Sequence, residues 1–145
     1  MSHVAKIQLQ ITDLNALEAA CRELGLTLKR DQKTYNWFGT HVGDYPLPDG
    51  FTQHDLGRCE HAIKVPGTTW EIGVARAKGH DHYTLLFDFY GAQGRPISNA
   101  IGGNEGTKLK RAYATQAAIQ QAKKQGWTYT RHDLNGKTKL TINVP

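Results

Sequence analysis

A glycine-rich run, Gly102-Gly103-Asn104-Glu105-Gly106-Thr107-Lys108, leads directly into an amphipathic helical pattern and is followed by Lys110 and Arg111. The N–H groups freed at a helix start, the positive end of the helix dipole and nearby cations together make an anion pocket. The spacing predicts a phosphate site, for a nucleotide or nucleic acid, at Gly102, Gly103, Asn104, Gly106, Thr107, Lys108, Lys110 and Arg111. It is not a P-loop: in the frame Gly-x-x-x-x-Gly-Lys, Ile101 stands where the first Gly belongs and Thr107 where the Lys belongs. The alternative use of such a run is a flexible loop before a merely capped helix start.

Two other sets of residues have the right types for chemistry. Cys59, His61, His54, His80, Asp81 and His82 offer thiol, imidazole and carboxylate, the donors zinc takes tetrahedrally. Cys59 and His61 are expected on one face of a strand, with His80 and His82 at the next turn. Neither Cys-x-x-Cys nor His-Glu-x-x-His occurs, so no metal or other cofactor is assigned. No Ser or Cys nucleophile can be paired with a base from spacing, so the catalytic residues are unknown and a small metal-dependent hydrolase ranks last. Trp37, Trp70, Tyr90, Tyr113, Trp127 and Tyr129 could stack on bases if they faced outward beside cations. Alternation assigns Trp70 and Tyr113 to the core, and leaves Trp127 and Tyr129, near Arg131, Lys137 and Lys139, uncommitted.

Charge sharpens the first reading. Residues 1–30 hold four Lys/Arg against three Asp/Glu, residues 31–100 six against eight, and residues 101–145 eight against two. The net +5 thus resolves into +1, −2 and +6, and the basic third begins at the glycine run. Such an excess attracts phosphates or acidic surfaces, although it also serves simply as a solvated face.

The elements that must position these residues follow from periodicity. Residues 4–11 alternate as a half-buried strand, and Leu14, Leu17, Cys21 and Leu24 recur as a helical stripe between the cap Asp13 and Gly25. Cys21, on that stripe, is expected to be an inert small hydrophobe. Residues 26–29 and 34–38 read as short strands, and residues 39–58, broken by Gly43, Pro46, Pro48, Gly50 and Gly57, as a long ordered loop. Residues 60–65 and 69–76 flank Pro66-Gly67-Thr68 as a hairpin, and residues 83–90 are apolar on both faces, as a central strand is. Residues 91–106 read as glycine-rich loop. Leu109, Ala112, Tyr113, Gln116 and Ile119 then line a helix ending at Gly126, and Asn135-Gly136 joins the last two strands. The expectation is a single α+β domain over 1–145: one mostly antiparallel sheet with two helices on one face.

At 145 residues, 39% hydrophobic and 21% charged, the chain can bury its own core. With two cysteines and neither a signal-peptide pattern nor a long apolar run, it is expected to be a cytoplasmic protein away from membranes.

The segments Met1-Ser2-His3, Asp13-Leu14, Tyr35-Asn36-Trp37-Phe38-Gly39, Val42-Gly43-Asp44-Tyr45-Pro46-Leu47-Pro48 and Asp55-Leu56-Gly57-Arg58-Cys59 resemble the hypothetical chloroplast reading frame family. The likeness continues through His61-Ala62-Ile63, Val65-Pro66-Gly67, residues 83–90, Lys108-Leu109-Lys110 and Tyr113-Ala114, and so spans nearly the whole chain. That family, of unknown function, occurs in plastids, cyanobacteria, other bacteria and tailed phages; the chain is most similar to the phage and bacterial branch. The resemblance implies a small intracellular accessory protein, phage-encoded and acting in host cytoplasm, and transfers no catalytic residues. With the basic third, it leads to a non-enzymatic protein that binds a nucleotide or nucleic acid, capturing a nucleotide signal or blocking a host factor in counter-defence. The competing expectation is an inhibitor or adaptor that meets a host protein through the 39–58 loop.

Overall fold

The computed structural model describes residues 3–41, 43 and 45–145; the parts of the family resemblance that fall on Met1, Ser2, Val42 and Asp44 lie outside them. The chain is α+β. Strands β1 (Val4–Ile11), β2 (Thr27–Lys29), β3 (His61–Lys64), β4 (Glu71–Ala75) and β5 (Tyr83–Asp88) form one antiparallel sheet in the order β1-β5-β4-β3-β2. Helix α1 (Leu14–Glu23) starts at Asp13, whose side chain accepts from the Ala16 N–H. Its last turn closes at Gly25, with φ +75°, the left-handed position at which glycine costs least. Helix α3 (Thr107–Lys124) packs beside it, and the Tyr113 Oη accepts the backbone N–H groups of Thr12 and Asp13 at 3.0 and 3.1 Å. Tyr113 thereby satisfies donors at the entrance of α1 while its ring fills the core, as its helical spacing predicts.

Both faces of this sheet are covered. Ile7, Ile11, Ile63, Ile72, Val74, Leu85 and Phe87 meet Leu17, Cys21, Leu109 and Tyr113 on the helical side. On the other side Leu86, Ala62 and Ala75 meet Tyr35, Phe51 and Leu56 from the segment between β2 and β3. That second cover explains why all five residues of β4 are buried, where sequence alternation alone predicts a half-exposed strand. Gly73 is required there: a Cβ on it would stand 2.3 Å from the Tyr35 ring.

Carboxylates hold the cover in place. Buried Glu71 accepts from Lys29 Nζ and from the Asn36 N–H, and fully buried Asp88 accepts from the N–H groups of His3, Tyr90 and Phe38. The strand expected over 34–38 does not form beyond a single bridge from Thr34 to Arg58, because its backbone groups bond to those carboxylates and to Gly57. The described residues of the 39–58 loop contain a short 3₁₀ helix at Gln53–Asp55, and its Phe51 and Leu56 pack on the sheet.

Two features depart from the expected one sheet and two helices. Residues 91–101, read as loop, form helix α2 (Gly91–Ile101) despite Gly91, Gly94 and Pro96. Gly94 costs intrinsic helix stability of ~1 kcal/mol relative to Ala. It also lets the helix settle on the end of β5, since a Cβ would lie 2.4 Å from the Phe89 carbonyl carbon. Pro96 packs against the Gly67 turn, and fully buried Ile97 and Ile101 supply the tertiary gain that overrides propensity. The second departure is that β6 (Thr128–Leu134) and β7 (Lys137–Asn143) form a separate two-stranded sheet.

Candidate functional site

The β6–β7 hairpin leaves the end of α3 at Gly126 and doubles back along that helix, so its turn arrives beside the helix's first turns. Asn135 and Gly136 take φ values of +52° and +72°, the paired left-handed conformation of a type I′ turn, as the Asn-Gly signal predicts. The Arg111 guanidinium donates to the Gly136 carbonyl oxygen, and Arg131 donates to a Glu23 carboxylate oxygen from α1. Helix α1, helix α3 and the hairpin thus border an open cleft of about 570 Å³.

Its charge is uneven. Lys108, Arg111, Arg131 and Lys137 line it against only two carboxylates, Glu23 and Asp133. Arg131 binds both of those, and its own pKa is raised, first by the Glu23 hydrogen bond. The Thr138 hydroxyl and then Arg131 hold Asp133 below the usual carboxylate range. Among the described residues, neither Lys108 nor Lys137 has a carboxylate partner. Both acids are therefore engaged by one arginine, Arg111 is bonded to the Gly136 carbonyl, and Lys108 and Lys137 line the cleft with no carboxylate partner among the described residues. Leu24, Ala112 and Leu134 add apolar wall.

The glycine part of the sequence-predicted site is used differently. Gly102 folds back onto the start of α3, so that a Cβ on it would lie 2.6 Å from the Lys108 nitrogen. The Thr107 hydroxyl donates to the Gly102 carbonyl, and Asn104 accepts from Ser98. Gly106, the N-cap, packs on Ile7 and Ile101. Gly103 is exposed at the bend between α2 and α3. Lys108 and Arg111, three apart, share the cleft side of α3, whereas Lys110 does not line the cleft. Of the expected set, the side chains of Lys108 and Arg111 are brought together, and the partners that complete the cleft come from Glu23, Arg131, Asp133, Lys137 and Thr138. The basic third and the Asn-Gly turn carried the signal for them; the return of the hairpin onto α3 is a tertiary fact no spacing encodes.

The His/Cys set is dispersed. His61 Nδ1 accepts from the Asp31 N–H and its Nε2 lies 3.3 Å from the Tyr83 hydroxyl, while Cys59 Sγ lies against the Gln32 carbonyl and His80 stacks near His82. Among the described residues no three His, Cys, Asp or Glu side chains are grouped to hold a metal ion. Cys21 is fully buried, and burial pushes its thiol up to about 12. Tyr129 is half-buried on the hairpin face opposite Lys137 and Lys139, so these do not form one stacking surface. No helix among the described residues is long and apolar enough to cross a membrane.

Comparison of the chain with protein-family models, with curated proteins and with solved structures finds no match.

Proposed function

We propose that the chain is a binding protein that holds a phosphate-bearing ligand, a nucleotide or a nucleic-acid strand, in the cleft between α1, α3 and the β6–β7 hairpin. The observation that carries this reading is the lining itself: Lys108, Arg111 and Lys137 stand over a volume of about 570 Å³ whose two carboxylates are both engaged by Arg131. That volume lies in the range of small-ligand pockets, and cations without carboxylate partners favour phosphate oxygens. A wider depression of about 980 Å³ by the start of α1 and the end of α3 is a weaker candidate. Its Arg30 and Arg76 are committed to Glu18 and Glu60, while Lys123 and Lys124 line it with no carboxylate partner among the described residues, beside Asp13 and Asp81. In a phage-encoded accessory protein, which the family resemblance implies, the cleft would capture a nucleotide signal.

The test is equilibrium binding of a nucleoside triphosphate panel and a labelled single-stranded oligonucleotide to wild type and to the triple variant Lys108→Ala, Arg111→Ala, Lys137→Ala. Loss of at least tenfold in affinity for one of these ligands supports the reading; affinity retained by the triple variant, or none in wild type, sinks it. A second reading rests on the other side of the molecule, where Phe38, Leu47 and Tyr90 are 45%, 38% and 39% exposed around the 39–58 loop and would suit a protein partner. Binding there would be insensitive to moderate salt, whereas phosphate binding weakens steeply.

A further inference from the structure

The C-terminal hairpin keeps a strand edge open, and we propose that this edge pairs with the same edge of a second copy of the chain, β7 against β7 across a twofold axis. The proposal is independent of the ligand in the cleft. The hairpin is a two-stranded sheet of its own, and no residue in it is buried. An isolated pair of strands is marginal in water, and an open edge is a template for another strand. Tyr129, Leu140 and Ile142 remain only half-buried on the face turned to α3.

The register of the hairpin states which backbone groups are unspent. Leu134 and Lys137 flank the two-residue turn and exchange both backbone bonds; alternation then gives bonded pairs at His132/Lys139, Thr130/Thr141 and Thr128/Asn143. The N–H and C=O groups of Thr138, Leu140 and Ile142 consequently point away from β6. Antiparallel pairing about Leu140 sets Thr138 opposite Ile142 of the second copy and Leu140 opposite its own equivalent. Every outward group between Thr138 and Ile142 is then satisfied.

Charge agrees with that register. Lys139 falls opposite Thr141 and Lys137 opposite Asn143, so no two ammonium groups face each other. A register one residue earlier would oppose Lys139 to itself. The β6 edge, whose outward residues are Tyr129, Arg131 and Asp133, would centre on two facing guanidinium groups, and like charges directly opposite are destabilising. Arg131 is in any case held by Glu23 and Asp133. The free edge of β7 is therefore self-complementary and that of β6 is not.

The experiment is sedimentation equilibrium of the full chain at micromolar concentration, with two variants. Wild type is expected at twice its 16.1 kDa. Leu140→Pro removes an outward N–H without touching the bonds to β6, so it is expected to be monomeric with an unchanged circular dichroism spectrum. Leu140→Cys, in a Cys59→Ser background, is expected to yield a disulfide-linked dimer on mild oxidation, because residues opposed in a bonded pair bring their Cα atoms within disulfide range. Thr130→Cys, on β6, is expected to give none. A monomeric wild type overturns the proposal. So does a dimer that survives Leu140→Pro, or cross-linking at position 130 that equals that at 140.

Discussion

Removing the Asp88 carboxylate should loosen the backbone that flanks β1 and β5, at His3 and Tyr90, and release Phe38 at the edge of the covering layer. Asp88 is fully buried and receives the His3 and Tyr90 N–H groups at 3.1 Å each and the Phe38 N–H at 3.4 Å. A hydrogen bond to a charged acceptor contributes ~1.5–3 kcal/mol net, and the long third bond adds little. Two good bonds lost give about 3–6 kcal/mol for Asp88→Ala. Asp88→Asn keeps one carbonyl oxygen for His3 and Tyr90, and turns an amide N–H toward the Phe38 N–H; the expected cost is about 1–2 kcal/mol. Urea titration followed by tryptophan fluorescence reads both as a lowered midpoint with unchanged slope. Amide exchange at Phe38 should accelerate in both variants, because its N–H loses its acceptor, while Asn36 stays bonded to Glu71. An Asp88→Ala protein within ~1 kcal/mol of wild type, or an Asp88→Asn protein as unstable as the alanine variant, would refute the claim that this carboxylate holds the His3 and Tyr90 backbone at the ends of β1 and β5.

The buried Tyr35 hydroxyl meets no hydrogen-bond partner of good geometry among the described residues, the Gly57 backbone being the group that acts on it, so Tyr35→Phe should leave stability unchanged or raise it; a loss of more than ~1.5 kcal/mol would mean that the Gly57 bond is a strong one. Alkali should destabilise the fold. Burial raises the thiols of Cys21 to about 12 and Cys59 to about 11, and raises Tyr35 as well. The unfolded chain loses these protons first, so the stability they contribute is intact below the unfolded thiol value and is lost as pH rises from there toward the folded values. Each fully titrating group sets a slope of ~1.4 kcal/mol per pH unit, and half-buried Cys59 contributes less. Cys21→Ala should flatten the loss measured by denaturant titration between pH 9 and the folded value of about 12; an unaltered slope would contradict the assignment.

The residues that announced their structure most clearly were those whose local chemistry and tertiary role agree. The stripe of Leu14, Leu17 and Cys21, the Asn135-Gly136 turn and the buried side of α3 all follow from period and turn type. Helix α2 was illegible because Gly91, Gly94 and Pro96 oppose a helix locally, and only the seating of Gly94 against β5 makes glycine the favourable choice. Likewise, the burial of Glu71 and Asp88 follows from no local period, because Asn36 and Phe38 reach them from the segment that follows β2. At the site, the cations of the basic third were visible but their grouping was not. The glycine run forms a tight connection, with Gly102 seated on the helix it introduces. The cleft forms only because a hairpin returns along α3 to set Arg131 and Lys137 across from Lys108 and Arg111.

Side-chain and amide chemical shifts of the full chain, followed during titration with a nucleoside triphosphate and then a single-stranded oligonucleotide at low ionic strength, test the phosphate site most directly. The account predicts saturable shifts for one of these ligands, confined to Lys108, Arg111, Arg131, Lys137 and their neighbours in the cleft, and reversed by added salt. Shifts centred instead on Phe38, Leu47 and Tyr90, or no shifts with either ligand, would contradict it.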